Sequence, residues 1–272
     1  QERMHPVDAW RARSNDSFVE LFKYRIGLVC SCAFVAPPRV IALYGEHPAF
    51  EPFDAWLGDA SDAPLANAPQ LARLTSLNLG FNKIGDKGAA ALAESAHLHN
   101  LTTLVLSFNR LNPASVDALA SSPTLAKLVA LDLSDNALHA KGAIMLASAT
   151  HLTQLTHLRL ATTQLGDKGV IALANAPQLG SLRRLDLTNN KITTRGAEAL
   201  AASPHLTQLT ALTLSHTTIE DAGVIALASA PHLTQLTHLG LEGAQLSARG
   251  ATAAEFVEPI TTRWRGLDVF QC

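Results

Sequence analysis

The feature that most constrains this chain is a triplet, Leu-x-Leu, that occurs seven times at 27-residue intervals with no insertion. It stands at Leu77/Leu79, Leu104/Leu106, Leu131/Leu133, Leu158/Leu160, Leu185/Leu187, Leu212/Leu214 and Leu239/Leu241. Three residues upstream is always a leucine: Leu74, Leu101, Leu128, Leu155, Leu182, Leu209 and Leu236. Three residues downstream the series is Asn82, Asn109, Asn136, Thr163, Asn190, Thr217, Ala244, and two further on it is Ile84, Leu111, Leu138, Leu165, Ile192, Ile219, Leu246. No single unit of this size buries its own leucines, so the units must stack and share a continuous core. Composition agrees. Of 44 leucines, 39 fall within residues 65–246, whereas only Phe81 and Phe108 of the 14 aromatic residues do. A core without aromatic anchors is built of small, equivalent layers.

Within each unit the periodicity changes. Leu77 and Leu79 point to one side of an extended segment and Asn78 to the other. Further on, Gly88, Ala91, Leu92 and Ser95 fall at helical spacing, and Gly-x-x-Ala-Leu-Ala returns at 88–93, 169–174, 196–201 and 223–228. Asp86, Asp167 and Asp221 are expected to cap the starts of these helices. Pro123, Pro177, Pro204 and Pro231 stop them, and Leu98, Leu125, Leu152, Leu179, Leu206 and Leu233 then turn inward. Residues 156–179 and 210–233 match at a distance of 54, the mark of growth by copying two units at once.

The pattern L-x-x-L-x-L-x-x-N-x-L closely resembles the leucine-rich repeat family over roughly residues 65–252. The 27-residue unit with its small-residue helix is similar to the ribonuclease-inhibitor-like subclass and to bacterial arrays named after a Gly-Ala-Leu-Ala signature. The resemblance implies an α/β solenoid of about seven full units, curved, with parallel strands on the concave face and helices on the convex face. In the family the recurrent asparagine bonds backbone at the turn out of the strand. Asn82, Asn109, Asn136 and Asn190 are therefore expected to form a structural turn ladder, with Thr163 and Thr217 doing part of the work and Ala244 none.

Three regions follow: residues 1–60, an N-terminal cap or a remnant of another domain; 61–252, the repeats; and 253–272, a C-terminal cap. The first holds nine aromatic residues and no repeat, and 46–63, rich in Pro, Asp and Gly, reads as the connection. In the last, Ala254, Glu255 and Ile260 depart from the pattern, and Trp264, Leu267, Val269 and Phe270 are available to cover the final core layer. The apolar run 26–36 is too short to span a bilayer. It reads as a buried helix or strand, or as the core of a secretion signal preceded by Lys23 and Arg25 and ending in the small residues of 33–36. A chain that begins at Gln1 leaves room for an upstream segment.

Several functional classes find no support. A net charge of −2 with no basic block gives no electrostatic footprint for nucleic acid. Cys30, Cys32 and Cys272 do not make a disulfide scaffold, so a reducing, cytoplasmic setting is expected, with a secreted effector as the alternative. His97, His151, His205 and His232 share one repeat position, but no cysteine or carboxylate recurs beside them, and no metal or cofactor is expected. There is no nucleophile elbow, phosphate loop or paired-carboxylate motif, and a non-enzyme is expected.

Function is expected on the strand face, where seven strands about 4.8 Å apart span about 29 Å. The candidate partner-binding residues are Phe81, Val105, Phe108, Asp132, Asp135, His157, Arg159, Arg184, Asp186 and His216. Phe81 and Phe108 occupy one position on adjacent units, and Asp132, Arg159 and Asp186 alternate in charge on three successive strands beside His157 and Arg184. The expected role is a monomeric, non-enzymatic scaffold that binds a protein partner. The resemblance implies two alternatives. One is an effector-type adaptor of a ubiquitin ligase, although residues 1–60 show no clear F-box pattern; the other is a GTPase-activating role resting on Arg159 or Arg184. A purely structural or regulatory module of a longer protein is a third reading.

Overall fold

A computed structural model describes residues 27–29, 40–44, 69–82, 84–244 and 246–247. Seven three-residue strands arise at the leucine triplets: β3 (Ser76–Asn78), β4 (Thr103–Val105), β5 (Ala130–Asp132), β6 (His157–Arg159), β7 (Arg184–Asp186), β8 (Ala211–Thr213) and β9 (His238–Gly240). They pair in parallel and in sequence order, each residue facing the one 27 positions on: Leu77 with Leu104, Leu104 with Leu131, and so on to Leu212 with Leu239. Two further strands, β1 (Gly27–Val29) and β2 (Val40–Tyr44), extend the sheet to nine. β2 runs parallel to β3, with Val40 opposite Ser76, and β1 runs antiparallel to β2. The described part of the apolar run 26–36 is thus a strand. The connection at 46–63 and the C-terminal cap at 253–272 lie outside the described residues.

Each strand from β3 to β8 is followed by a helix: α1 (Asp86–Glu94), α2 (Pro113–Ser121), α3 (His139–Ala147), α4 (Gly166–Ala174), α5 (Thr194–Ala201) and α6 (Asp221–Ala228). One hydrophobic core runs the length of the array, and most inward leucines in it are almost fully buried. The helices pack side by side at their glycines. A methyl group on Gly169 would stand 3.0 Å from the Cβ of Ala143, and one on Gly223 would stand 3.0 Å from the Cβ of Ala197, each on the preceding helix. This close approach favours glycine at the position; α2 carries the small, buried Ser115 there instead, bonded to Asp86 of the preceding unit. Where the chain turns out of a helix, the proline region forms a single 3-10 turn, as at Pro123–Leu125 and Pro177–Leu179. The serine before the proline then satisfies the last carbonyls of the helix one unit back. Ser122 Oγ donates to Ala93 O and Ser203 Oγ to Ala174 O, both at 2.5 Å.

The aspartates at the helix starts correct the sequence expectation. None of Asp86, Asp167 and Asp221 caps its own helix through its side chain. Each reaches one unit forward instead. Asp86 accepts from Asn112 Nδ2 (2.7 Å) and Ser115 Oγ (2.5 Å), Asp167 from Thr193 N (2.8 Å) and Thr193 Oγ1 (2.7 Å), and Asp221 from Ser247 N (2.9 Å) and Ser247 Oγ. The carboxylates stitch the start of one helix to the turn that opens the next, a contact that parallel stacking allows and local sequence rules do not reveal.

Candidate functional site

The turn out of the strands is built on the recurrent asparagine. Asn136 Oδ1 accepts from Asn109 N (3.2 Å) and Leu111 N (3.0 Å), and its Nδ2 donates to Leu106 O, Leu133 O and Ser134 O at 2.9–3.0 Å. Asn109 does the same for Asn82 N, Ile84 N and three carbonyls, and Asn190 for Thr163 N, Leu165 N and three carbonyls. Asn82 donates to Gly80 O at 2.9 Å. At Thr163 the hydroxyl bonds Leu160 O (2.6 Å) and Asn190 Oδ1 of the next unit (3.0 Å), and at Thr217 it donates to Leu214 O (2.5 Å), the carbonyl within its own unit.

Immediately before this ladder lies a feature that the sequence reading missed. Phe81, Phe108, Asp135, Thr162, Asn189, His216 and Gly243 all have φ between +51° and +74°. Six of the seven are not glycine, in a conformation that ordinarily costs an L-residue about 1–2 kcal/mol. Each of those six amides donates to the carbonyl one unit onward, for example Phe81 N to Ser107 O (2.9 Å) and Phe108 N to Ser134 O (3.0 Å). The inter-unit bond, rather than residue type, holds the conformation. The available sequence signal was the presence of Asp, Asn and Gly at the same position, the residue types that tolerate left-handed backbone.

The left-handed turn throws Phe81 and Phe108 out of the core. They remain 46% and 48% exposed, and their rings stack with centroids 4.3 Å apart and planes 11° from parallel. Two strands further along the face Arg159 lies between two carboxylates, 3.8 Å from Asp132 and 3.9 Å from Asp186. Those carboxylates also brace their own turns: Asp132 accepts from Ser134 N (2.9 Å), and Asp186 from Thr188 N (3.0 Å) and Thr188 Oγ1 (2.7 Å). Asn78 makes the equivalent bond from Gly80 N at 3.0 Å.

Two candidate residues are less available than expected. Val105 and Asp132 are each only 5% exposed. Val105 packs against Ala130 of the next strand, and the Arg159 side chain pairs with Asp132 from the other side. In a row of equivalent strand positions about 4.8 Å apart, neighbours shelter any side chain of modest length. Burial raises the Asp132 carboxyl above its ordinary value, against the lowering effects of Arg159 and Ser134. Asp135 is also raised, first by burial and then by Asp132 and Asp186, while a Thr162 hydrogen bond and Arg159 oppose the shift. His157 is lowered by burial and by the nearby Arg184 and Arg183, and its Nδ1 lies 2.7 Å from Thr156 Oγ1. His216 stands apart from this group, over Gly243, where an added Cβ would meet its ring at 2.5 Å.

A leucine-rich repeat family model matches residues 73–93, 97–120, 124–147, 151–174, 181–201 and 205–228, half of the chain. The chain belongs to the leucine-rich repeat family. No curated protein matches it. Among solved structures, it is similar to an internalin from Listeria monocytogenes, with 21% identity and a TM-score of 0.51 over 76% of this chain and 51% of that one. A functional domain of a second Listeria internalin, InlJ, gives 22% identity and a TM-score of 0.42 over 65% of this chain and 32% of that one. The chain therefore spans about half the length of the first and about a third of the second. The architecture is an α/β leucine-rich-repeat solenoid. Among the described residues, no helix is long and apolar enough to cross a membrane.

Proposed function

We propose that this leucine-rich repeat chain is a non-enzymatic scaffold whose strand face docks a protein partner, with the Phe81–Phe108 stack as its anchor. The observation that carries the reading is the exposure of two stacked rings in an array otherwise free of aromatics. Contiguous exposed aromatic surface is uncommon on a protein that binds nothing, and aromatic residues dominate interface energetics. The Asp132–Arg159–Asp186 ladder supplies a polar centre beside the anchor, with Asp135, His157, Arg184 and, further off, His216 around it. Membership of the family supports a binding role in general. The 27-residue step of the strand register supports placing the units in the ribonuclease-inhibitor-like subclass. Arg159 is engaged with two carboxylates, an arrangement better suited to a rigid surface than to a mobile catalytic finger.

The test is a comparison of partners cross-linked to the wild-type chain and to a Phe81→Asn, Phe108→Asn double variant. Asparagine already occupies this position at Asn189, so the turn is retained while the rings are removed. Loss of specific partners is expected; identical partner sets overturn the reading.

A further inference from the structure

The geometry points to a particular partner chemistry, and this inference rests on the docking reading above: the outer face of Phe108 together with Asp135 forms a slot for the guanidinium of an arginine carried by the partner. Phe81 covers one face of the Phe108 ring in a near-parallel stack. Strand order places Asp135, the same position of the next unit, on the other side of Phe108. A third phenylalanine there would continue the stack. Aspartate is much shorter, so it leaves the place of a third ring open and sets a carboxylate beneath it. A planar cation entering that place stacks on Phe108 and meets the carboxylate with its edge. Arginine fits because its guanidinium is flat, stacks on aromatic faces and presents a fork of donors to a carboxylate.

Charge points the same way. On the three units from β5 to β7 the face carries Asp132, Asp135 and Asp186 against Arg159 and Arg184, three carboxylates to two guanidinium groups. Arg159 is shared between Asp132 and Asp186, and Thr162 hydrogen-bonds Asp135. An apolar partner side chain over Phe108 would strip water from Asp135 without compensating it. A cationic one compensates it and adds the attraction of the ring.

The probe is the peptide acetyl-Gly-Leu-Arg-Leu-Gly-amide, titrated into the full chain by NMR beside its citrulline counterpart, which has the same shape without the charge. We expect the arginine peptide to bind about tenfold more tightly, the combined scale of an exposed cation–π contact and an exposed ion pair. Asp135→Asn and Phe108→Asn should each bring that ratio close to one while the urea midpoint of unfolding stays within the range of a surface substitution. Equal affinity for both peptides, or a ratio unmoved by Asp135→Asn, overturns the slot. If both peptides bind equally and Phe108→Asn abolishes both, the docking face stands and only the arginine assignment falls. If that equal binding survives Phe108→Asn, the docking face falls with it. Absence of binding by either peptide overturns the slot and leaves the face to be judged by the cross-linking comparison.

Discussion

Replacing Asn136 by alanine tests the ladder at one of its fully bonded rungs. The side chain is buried and makes five hydrogen bonds, all to backbone. After truncation two of the five backbone groups keep a partner: Leu106 O still accepts from Asn109 Nδ2, and Ser134 O from Phe108 N. The amides of Asn109 and Leu111 and the carbonyl of Leu133 lose the partner they have here. Each buried polar group left unmatched costs about 1–3 kcal/mol, and water entering the space left by the amide recovers part of it, so the expected loss is about 4 kcal/mol. Asn136→Thr should cost about 1 kcal/mol less, because a hydroxyl there can donate to Leu133 O as Thr163 does to Leu160 O. Urea unfolding followed by circular dichroism reads the difference through the midpoint at constant slope. A shift in the slope would show instead that the array now melts in parts. An Asn136→Ala loss below about 1 kcal/mol, or a threonine variant no better than alanine, would refute the reasoning.

Three further outcomes follow from the same geometry. Because burial raises the Asp132 carboxyl, the ionised form burdens the folded state at neutral pH. Asp132→Asn, which keeps an acceptor for Ser134 N as Asn78 does for Gly80 N, should raise Tm at pH 7. That advantage should shrink as pH falls through the raised folded value and vanish below the unfolded carboxyl value of about 3.9; a lower Tm at pH 7 would contradict it. Gly196→Ala places a methyl 2.6 Å from Ile192 Cγ2 and 2.7 Å from Asp167 Oδ1, and should cost about 1–3 kcal/mol in urea unfolding. Asp167→Ala removes both bonds to Thr193 on an exposed turn, and should cost about 0.5–1 kcal/mol with faster amide exchange at Thr193.

The inward half of this molecule was legible because burial dictates residue type. Leu77, Leu79 and Leu92 sit where only an apolar side chain fits, and Asn109 and Asn136 where only an amide serves two amides and three carbonyls at once. Strand order and the 27-residue register follow from that spacing. Contacts between units were harder to read. Asp86 resembles a helix cap by every local rule, yet its partners are Asn112 and Ser115, brought alongside only by stacking. Val105 and Asp132 alternate outward by strand periodicity, yet neighbouring strands cover them. The left-handed conformation was not legible at Phe81 and Phe108 themselves, because phenylalanine carries no preference for it; its cause is an amide–carbonyl bond to the following unit, and only Asp135, Asn189 and Gly243 in the same row signal it.

That left-handed row has a consequence for how such a chain changes over generations. At most positions of a protein, altering the residue alters the backbone or the packing, and the fold resists. Here the backbone is fixed by the neighbouring unit, and Phe, Asp, Thr, Asn, His and Gly already occupy equivalent places. The row is free to drift in chemistry while the scaffold stays still. Copying a pair of units adds two new places to it at once, each able to take up a different side chain without any other part of the molecule having to follow.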